Sequence, residues 1–236
     1  MMQERESELK ILQNLPLEIK IKKSQMRIKE WVSYYGLNNV YISFSGGKDS
    51  TVLVDLARKI YPEIRVVFCN TGLEYPEIVS FVKEFENVEI VRPDKNFKEI
   101  LTKYGYPVIS KEISQTVCEA KKNMHTGKYT YRVQKLEGTL LDKQGNLSKY
   151  NSPKWKFLLN APFRISDACC KEMKKRPFAK LKKAGIIGTM TEESRLRKTA
   201  WMRHGCNAFQ SRRPLSSPLS FWTSQDVLTY IHTSCR

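Results

Sequence analysis

The sequence predicts an α/β fold built on a mainly parallel, doubly wound sheet, and three observations carry that expectation. Short β-branched and aromatic runs alternate with amphipathic stretches. The first such run passes directly into a glycine pair that opens a helix, and 236 residues suffice for one well-buried domain.

Taken in order, Leu17, Ile21, Ile28, Trp31, Val32 and Tyr35 recur at helical spacing, with Pro16 at a first-turn position and Gly36 as a stop. Val40-Tyr41-Ile42-Ser43-Phe44 reads as a buried strand. Residues 51–60 then suit a helix halted by Tyr61-Pro62. A second strand over 64–69 leads through Asn70-Thr71-Gly72-Leu73-Glu74 into a helix opened by Pro76. A third strand over 88–91 precedes a helix over 97–104 that Gly105 can end. Glycines and prolines punctuate residues 123–162, a basic, tyrosine-containing insertion for which a β-hairpin is one reading. Residues 166–175 look helical, Pro177 restarts a short helix ended by Gly185, and 186–189 suit a fourth strand in a sheet of about five. A helix over 192–204 is closed by Gly205, and Thr223-Ser224-Gln225-Asp226 caps a last one.

The charge is uneven. Residues 1–120 hold 17 basic and 17 acidic side chains, whereas 121–236 hold 24 and 7, which accounts for the whole net charge of +17. A lysine-rich wet surface would do this, and so would a face that attracts a phosphorylated nucleotide or a nucleic acid backbone. Neither a signal-like apolar run nor a spanning segment is present, so a cytoplasmic location with no membrane role is expected. The six cysteines lack the spacing of a disulfide scaffold, and reduced thiols follow from that location.

Ser45-Gly46-Gly47-Lys48-Asp49-Ser50 is the sharpest chemical signal. Lying between a strand and a helix, it directs backbone N–H groups and a helix dipole at an anion. The glycines permit close approach and positive φ, Lys48 adds a point charge, and Ser45 and Ser50 can donate hydroxyl hydrogen bonds. The spacing is not that of Walker A, which needs four residues between its first glycine and its Gly-Lys pair.

This hexapeptide resembles the PP-loop of ATP pyrophosphatases and phosphoadenosine phosphosulfate reductases, and further segments narrow the resemblance to the reductase family. Residues 70–77, Asn-Thr-Gly-Leu-Glu-Tyr-Pro-Glu, are similar to its Asp-Thr-Gly…Tyr-Pro-Glu signature, with Asn70 for Asp. Cys169-Cys170-Lys171 is similar to its Cys-Cys pair. Residues 188–197 resemble its Gly-x-Arg-x-x-Gln/Glu-Ser-x-x-Arg pattern, with Met190 where the pattern has Arg, and 218–227 resemble its Pro-Leu…Trp-Thr…Asp-Val segment.

The resemblance implies an adenine nucleotide α-hydrolase-like sheet. It divides the chain into an N-terminal helical extension, residues 1–36, and a PP-loop nucleotide-binding domain, 37–236, with the insertion at 123–162. It implies an adenine nucleotide (ATP, adenylyl sulfate or its 3′-phosphorylated form) bound by Ser45, Gly46, Gly47, Lys48, Asp49, Ser50, Thr71, Gly72, Glu193, Ser194, Arg195 and Arg197. A thiol reductant or sulfur donor would be the second substrate. Bland alternatives stay open: Glu74 and Glu77 as helix-start carboxylates, Arg195, Arg197 and Lys198 as the wet face of a helix. Trp222 is expected in the core, and Cys69 and Cys118 as buried hydrophobes.

Iron–sulfur members of the family use such a cysteine pair for two ligands of a 4Fe–4S cluster and a downstream Cys-x-x-Cys for the others. Here only Cys206 and Cys235 lie downstream. Cys169, Cys170 and Cys206 are the candidate metal ligands, with zinc joined by His204 a further option. The Cys-Gly-Ile/Leu-His segment that attacks sulfur in these reductases has no counterpart. Three functional readings follow: a reductase-family enzyme acting on a sulfonucleotide, an ATP pyrophosphatase that adenylates a substrate such as a nucleic acid with Mg2+ on Asp49, or a nucleotide-binding remnant without turnover. The sequence does not set the oligomeric state.

Overall fold

In the computed structural model, which describes residues 2–211 and 213–234, helices Met2–Gln13 (α1) and Leu17–Tyr35 (α2) lead into strand Val40–Phe44 (β1). Helix Lys48–Arg58 (α3), strand Val66–Cys69 (β2), helix Pro76–Glu84 (α4) and strand Val88–Val91 (β3) follow. Helices Phe97–Tyr104 (α5), Lys111–His125 (α6) and Tyr131–Glu137 (α7) precede a 3-10 helix, Pro153–Asn160. One run then passes from Ala168–Cys170 (α8) through a π turn, Lys171–Lys175, into Arg176–Lys180 (α9). Strand Ala184–Ile187 (β4), helix Arg195–His204 (α10), strands Asn207–Ala208 (β5) and Leu215–Ser216 (β6) and helix Ser224–Ser234 (α11) end the described chain.

The sheet runs β3-β2-β1-β4-β6-β5, parallel throughout except for the β5/β6 pair. From β1 the chain moves outward to β2 and β3, then returns to place β4 on the other flank of β1, so the strand order reverses there. Such a reversal leaves a crevice at the carboxyl ends of the two strands. The α/β class is thus as expected, with six strands rather than about five. The additional short pair arises because β6 docks in parallel on β4, and Asn207–Ala208 folds back on it.

Two further expectations are corrected. Gly185 does not stop a helix: α9 ends at Lys180, and Gly185 lies in β4 opposite Tyr41. A Cβ there would come within 3.0 Å of both the Tyr41 hydroxyl and Leu215 Cδ2, so the missing side chain serves sheet packing. The stretch 123–162 holds helix α7, a 3-10 helix and a single antiparallel bridge, Leu141 to Leu147, in place of a β-hairpin. Val133 and Leu136 of α7 are buried with Ile113, Val117 and Leu158, and an amphipathic helix serves that burial better than a ribbon. Helices α1 and α6 are additional to those the sequence predicts.

The chain divides into two compact units, residues 1–91 with 181–236, and residues 92–180. The first contains the whole sheet. Its core includes Trp31, Phe44, Phe68, Trp222 and Tyr230, all under 3% exposed, and Trp222 is a core residue as expected. Burying each such side chain stabilises by roughly 1.5–3 kcal/mol. The indole N–H of Trp222 donates to Ser24 Oγ, which donates to the Pro218 carbonyl, so its polar edge is satisfied without water. Among the described residues no helix is long and apolar enough to cross a membrane.

Buried polar links fasten α11 to this core. Lys20, 2% exposed, donates to Asp226 Oδ2 at 2.6 Å and to the Gln13 carbonyl, while Asp226 also accepts from the Thr223 amide and hydroxyl at the start of α11. Further along, the Tyr230 hydroxyl donates to Asp55 Oδ2 at 2.6 Å and accepts from Lys59. Burial, reinforced by Asp55, pushes the Tyr230 phenol up to about 12.

Removing one partner of a buried ion pair leaves the other uncompensated, so Lys20→Met is expected to lower the unfolding free energy by about 3 kcal/mol. Asp226→Ala should act similarly and the double variant well short of the sum, read from urea midpoints. A raised folded-state pKa means the Tyr230 contribution is complete below pH 10 and is lost as pH rises toward 12. The thermal midpoint of Tyr230→Phe should therefore fall less steeply than that of the parent across that window.

Candidate functional site

Three connections of the sheet-bearing unit leave the carboxyl ends of adjacent strands: 45–50 after β1, 70–75 after β2 and 188–194 after β4. Ten of the twelve sequence-predicted nucleotide-binding residues lie within these spans, Lys48, Asp49 and Ser50 forming the first turn of α3; Arg195 and Arg197 follow in the first turn of α10. Side-chain relations alone do not produce this gathering. Parallel pairing of Phe44 with Phe68 and of Ser43 with Ile187 sets the three strand ends level.

The first connection is shaped by its glycines. Gly46 has φ +73°, and a Cβ on it would sit 2.7 Å from Ile78 Cγ2 and 3.1 Å from Val82 Cγ2, so α4 presses against the turn. Gly188, just beyond β4, meets the other side: a Cβ would lie 2.8 Å from the Asp49 carbonyl oxygen and 3.1 Å from the Ser50 nitrogen. The start of α3 thus rests backbone to backbone on the end of β4. The sequence places Gly188 only within a family pattern; its role as a spacer needs the strand order.

The serines hold this loop in shape. Ser50 Oγ, buried, donates to the Gly47 carbonyl at 2.8 Å and accepts from the Ser45 amide, and the two serine hydroxyls lie 3.0 Å apart. Gly47 N–H donates to Ser45 Oγ, and Gly47 offers no side chain to cap α3. The first helical bond runs from Thr51 N–H to the Gly47 carbonyl, so the amides of Lys48, Asp49 and Ser50 stand ahead of it, aimed out of the helix start. Lys48 Nζ rests on Asp49 Oδ1 at 2.5 Å with both side chains partly exposed. Such a pair contributes at most about 1 kcal/mol, so little opposes Lys48 turning to a bound polyanion.

The second connection is braced by Glu74, which accepts from the Thr71 amide and hydroxyl at 2.8 Å. Burial pushes its carboxyl up, but the hydrogen bonds from Thr71 and neighbouring amides outweigh this and hold it below the usual carboxylate range. Gly72, with φ +77° and open space where a Cβ would be, takes its amide to Asn70 Oδ1. Glu74 is therefore a loop brace, and it keeps Thr71 and Gly72 at the strand end.

In the third connection Glu193 accepts from the Met190 amide at 2.7 Å and pairs with Arg197, and Ser194 Oγ caps α10 by accepting from the Arg197 amide. Arg195 is exposed and Arg197 half-buried. The first turn of α10 has no acidic residue but carries both arginines at the positive end of the helix dipole. That placement is unfavourable by some tenths of a kcal/mol per charge, and an anion there relieves it. Met190, where the family pattern has Arg, is 1% exposed and part of the core.

Cys169 and Cys170 occupy one helical turn in the unit 92–180, and Cys206 packs against the sheet-bearing core, 3.2 Å from Ser220 Oγ. Burial pushes the thiols of Cys169 and Cys206 up, and the neighbouring Cys170 raises Cys169 further. Among the described residues no three His, Cys, Asp or Glu side chains are grouped to hold a metal; Cys235 lies outside them.

Residues 39–235 match the family model for the phosphoadenosine phosphosulfate reductase domain. An adenosine 5′-phosphosulfate reductase of Staphylococcus haemolyticus is 34% identical over 107 residues, 42% of this chain and 43% of that protein. An uncharacterized protein of Methanocaldococcus jannaschii is 36% identical over 124 residues, 50% of this chain and 30% of that one. The chain thus spans less than half the length of these curated relatives. Among solved structures, phosphoadenylyl-sulfate reductase from Candida auris in a phosphate complex aligns with TM-score 0.47 and 15% identity, over 92% of this chain and 84% of that one.

Gly188→Ala forces a methyl group into the Asp49 and Ser50 backbone. It is expected to cost about 1–3 kcal/mol in urea denaturation, whereas Gly72→Ala, strained in φ but unobstructed, should cost about 1 kcal/mol.

Proposed function

The chain belongs to the phosphoadenosine phosphosulfate reductase domain family, and from that premise we propose that it binds an adenine nucleotide by its phosphates on residues 45–50 and acts on it in sulfur transfer or sulfonucleotide reduction. The observation that carries this reading is the helix start at Lys48, Asp49 and Ser50, whose amides precede the first helical bond at the point where the strand order reverses. In this reading the amides around Gly46 and Gly47 take the phosphate oxygens and Lys48 neutralises them. Thr71 and Gly72 border the nucleotide at the end of β2. Glu193 and Ser194 hold the first turn of α10 so that Arg195 and Arg197 meet the distal anion. A thiol reductant or sulfur donor completes the reaction, supplying two electrons if the product is sulfite.

One observation favours ATP α,β-cleavage as the second reading. The side chain at 190, a cation in the reductase pattern, is here a core methionine, so one charge facing a sulfonucleotide is missing. For that chemistry the Asp49 carboxylate, on the loop and partly exposed, suits Mg2+, which is held by one or two carboxylates together with substrate phosphates and would neutralise departing pyrophosphate.

Titration calorimetry with ATP, adenylyl sulfate and its 3′-phosphorylated form is the test. At least one should bind, and Lys48→Ala should weaken it about 10- to 100-fold, the worth of a charge-assisted hydrogen bond. Absence of heat with all three overturns the proposal. Sulfite release with thiol supports the first reading, and pyrophosphate release from ATP the second.

A further inference from the structure

The unit formed by residues 92–180 carries 20 Lys and Arg against 8 Asp and Glu, a net of +12 of the chain's +17. Its acids are largely engaged within it. Glu112 pairs with buried Lys135, Glu119 with Arg132, Glu137 with Lys156, and Asp94 with Arg176 and Lys180; Glu99 and Asp142 cap backbone amides. Lys128, Lys149 and Lys154 are exposed, and no carboxylate stands within ion-pair reach of them among the described residues.

Interleaved with these cations are aromatic rings open to solvent. Tyr129, Tyr131 and Tyr150 are 57%, 51% and 50% exposed, too much for core residues. Lys149 lies over the Tyr150 ring at 5.7 Å and Arg132 over Tyr131 at 5.6 Å. Hydrogen bonds draw these segments together: the Tyr129 hydroxyl meets Thr139 Oγ1 at 2.6 Å, and Asn151 donates to the Gly138 and Leu140 carbonyls. The whole rests on buried Val133, Leu136 and Leu158, which gives it a fixed shape.

We infer that this face binds single-stranded nucleic acid. Lysines alone would serve any polyanion, but flat rings held among them give stacking surfaces for unpaired bases while the ammonium groups meet the phosphates. A duplex hides its base faces, and a lipid surface calls for an amphipathic helix with an apolar face, whereas these rings are tyrosines on turns and a helix start. The partner is an unpaired polynucleotide, RNA or DNA, read without sequence preference.

The test uses the full chain and fluorescence anisotropy with labelled strands of about 20 nucleotides, as single-stranded RNA, single-stranded DNA and duplex DNA, between about 50 and 200 mM salt. At least one single strand should bind about tenfold more tightly than duplex; RNA bound above DNA assigns the partner as RNA, the reverse as DNA. A triple Lys128→Gln, Lys149→Gln, Lys154→Gln variant should reduce the salt slope by about 2, at about 0.7 for each phosphate that a lysine no longer neutralises. Tyr131→Ser with Tyr150→Ser should weaken single-strand binding about tenfold or more and leave heparin binding unchanged, and Tyr131→Trp with Tyr150→Trp should preserve it. Circular dichroism confirms that each variant is folded. The inference is overturned by no binding to either single strand at the lowest salt, by equal binding to duplex that the tyrosine changes do not affect, or by preference for phosphatidylserine vesicles.

Discussion

The site depends on one contact without side chains, the approach of Gly188 at the end of β4 to the Asp49 and Ser50 backbone at the start of α3. Parallel pairing brings β1 and β4 together, but any Cβ at 188 would hold the following helix away. On the opposite side Gly46 lets Ile78 and Val82 close on the same turn. The loop is therefore gripped between two neighbouring connections, and a turn that in isolation would sample many conformations is held with its amides outward.

Charge placement follows a second logic. Inside the sheet-bearing unit, ions are paired and fastened: Lys20 with Asp226, Lys59 and Tyr230 with Asp55. At the strand ends, cations stand where the fold itself gains little from them. Lys48 is matched by its neighbour Asp49 and Arg197 by Glu193, and Arg195 and Arg197 begin a helix whose dipole repels them. An anion at these strand ends would convert the local repulsion at the start of α10 into attraction.

The same separation recurs in residues 92–180. Its acids satisfy buried or local partners, as Glu112 does for Lys135, while Lys128, Lys149 and Lys154 are exposed, Lys149 over the Tyr150 ring. Membership of the family accounts for the parallel sheet. It does not account for +12 on a unit that contributes no strand, and a polyanionic partner gives that charge a physical reason.

Strand β1, the glycine loop, helices α2, α3 and α5 and the capped start of α11 were legible in the sequence because each is determined locally, by periodicity, β-branching or a capping residue. The loop's candidate residues were legible for the same reason: Gly-Gly before Lys between a strand and a helix is a short-range pattern. Tertiary structure decided what depends on residues far apart in the chain. Gly185 reads as a helix stop until Tyr41 and Leu215 are seen to fill its place, and β6 is too short to signal itself without β4 beside it. Ser50 and Glu74 read as ligand groups or helix-start charges, but their neighbours occupy them in bracing loops. Local sequence encodes which backbone shapes are cheap; which side chains remain available for chemistry is set by the partners that packing brings to them.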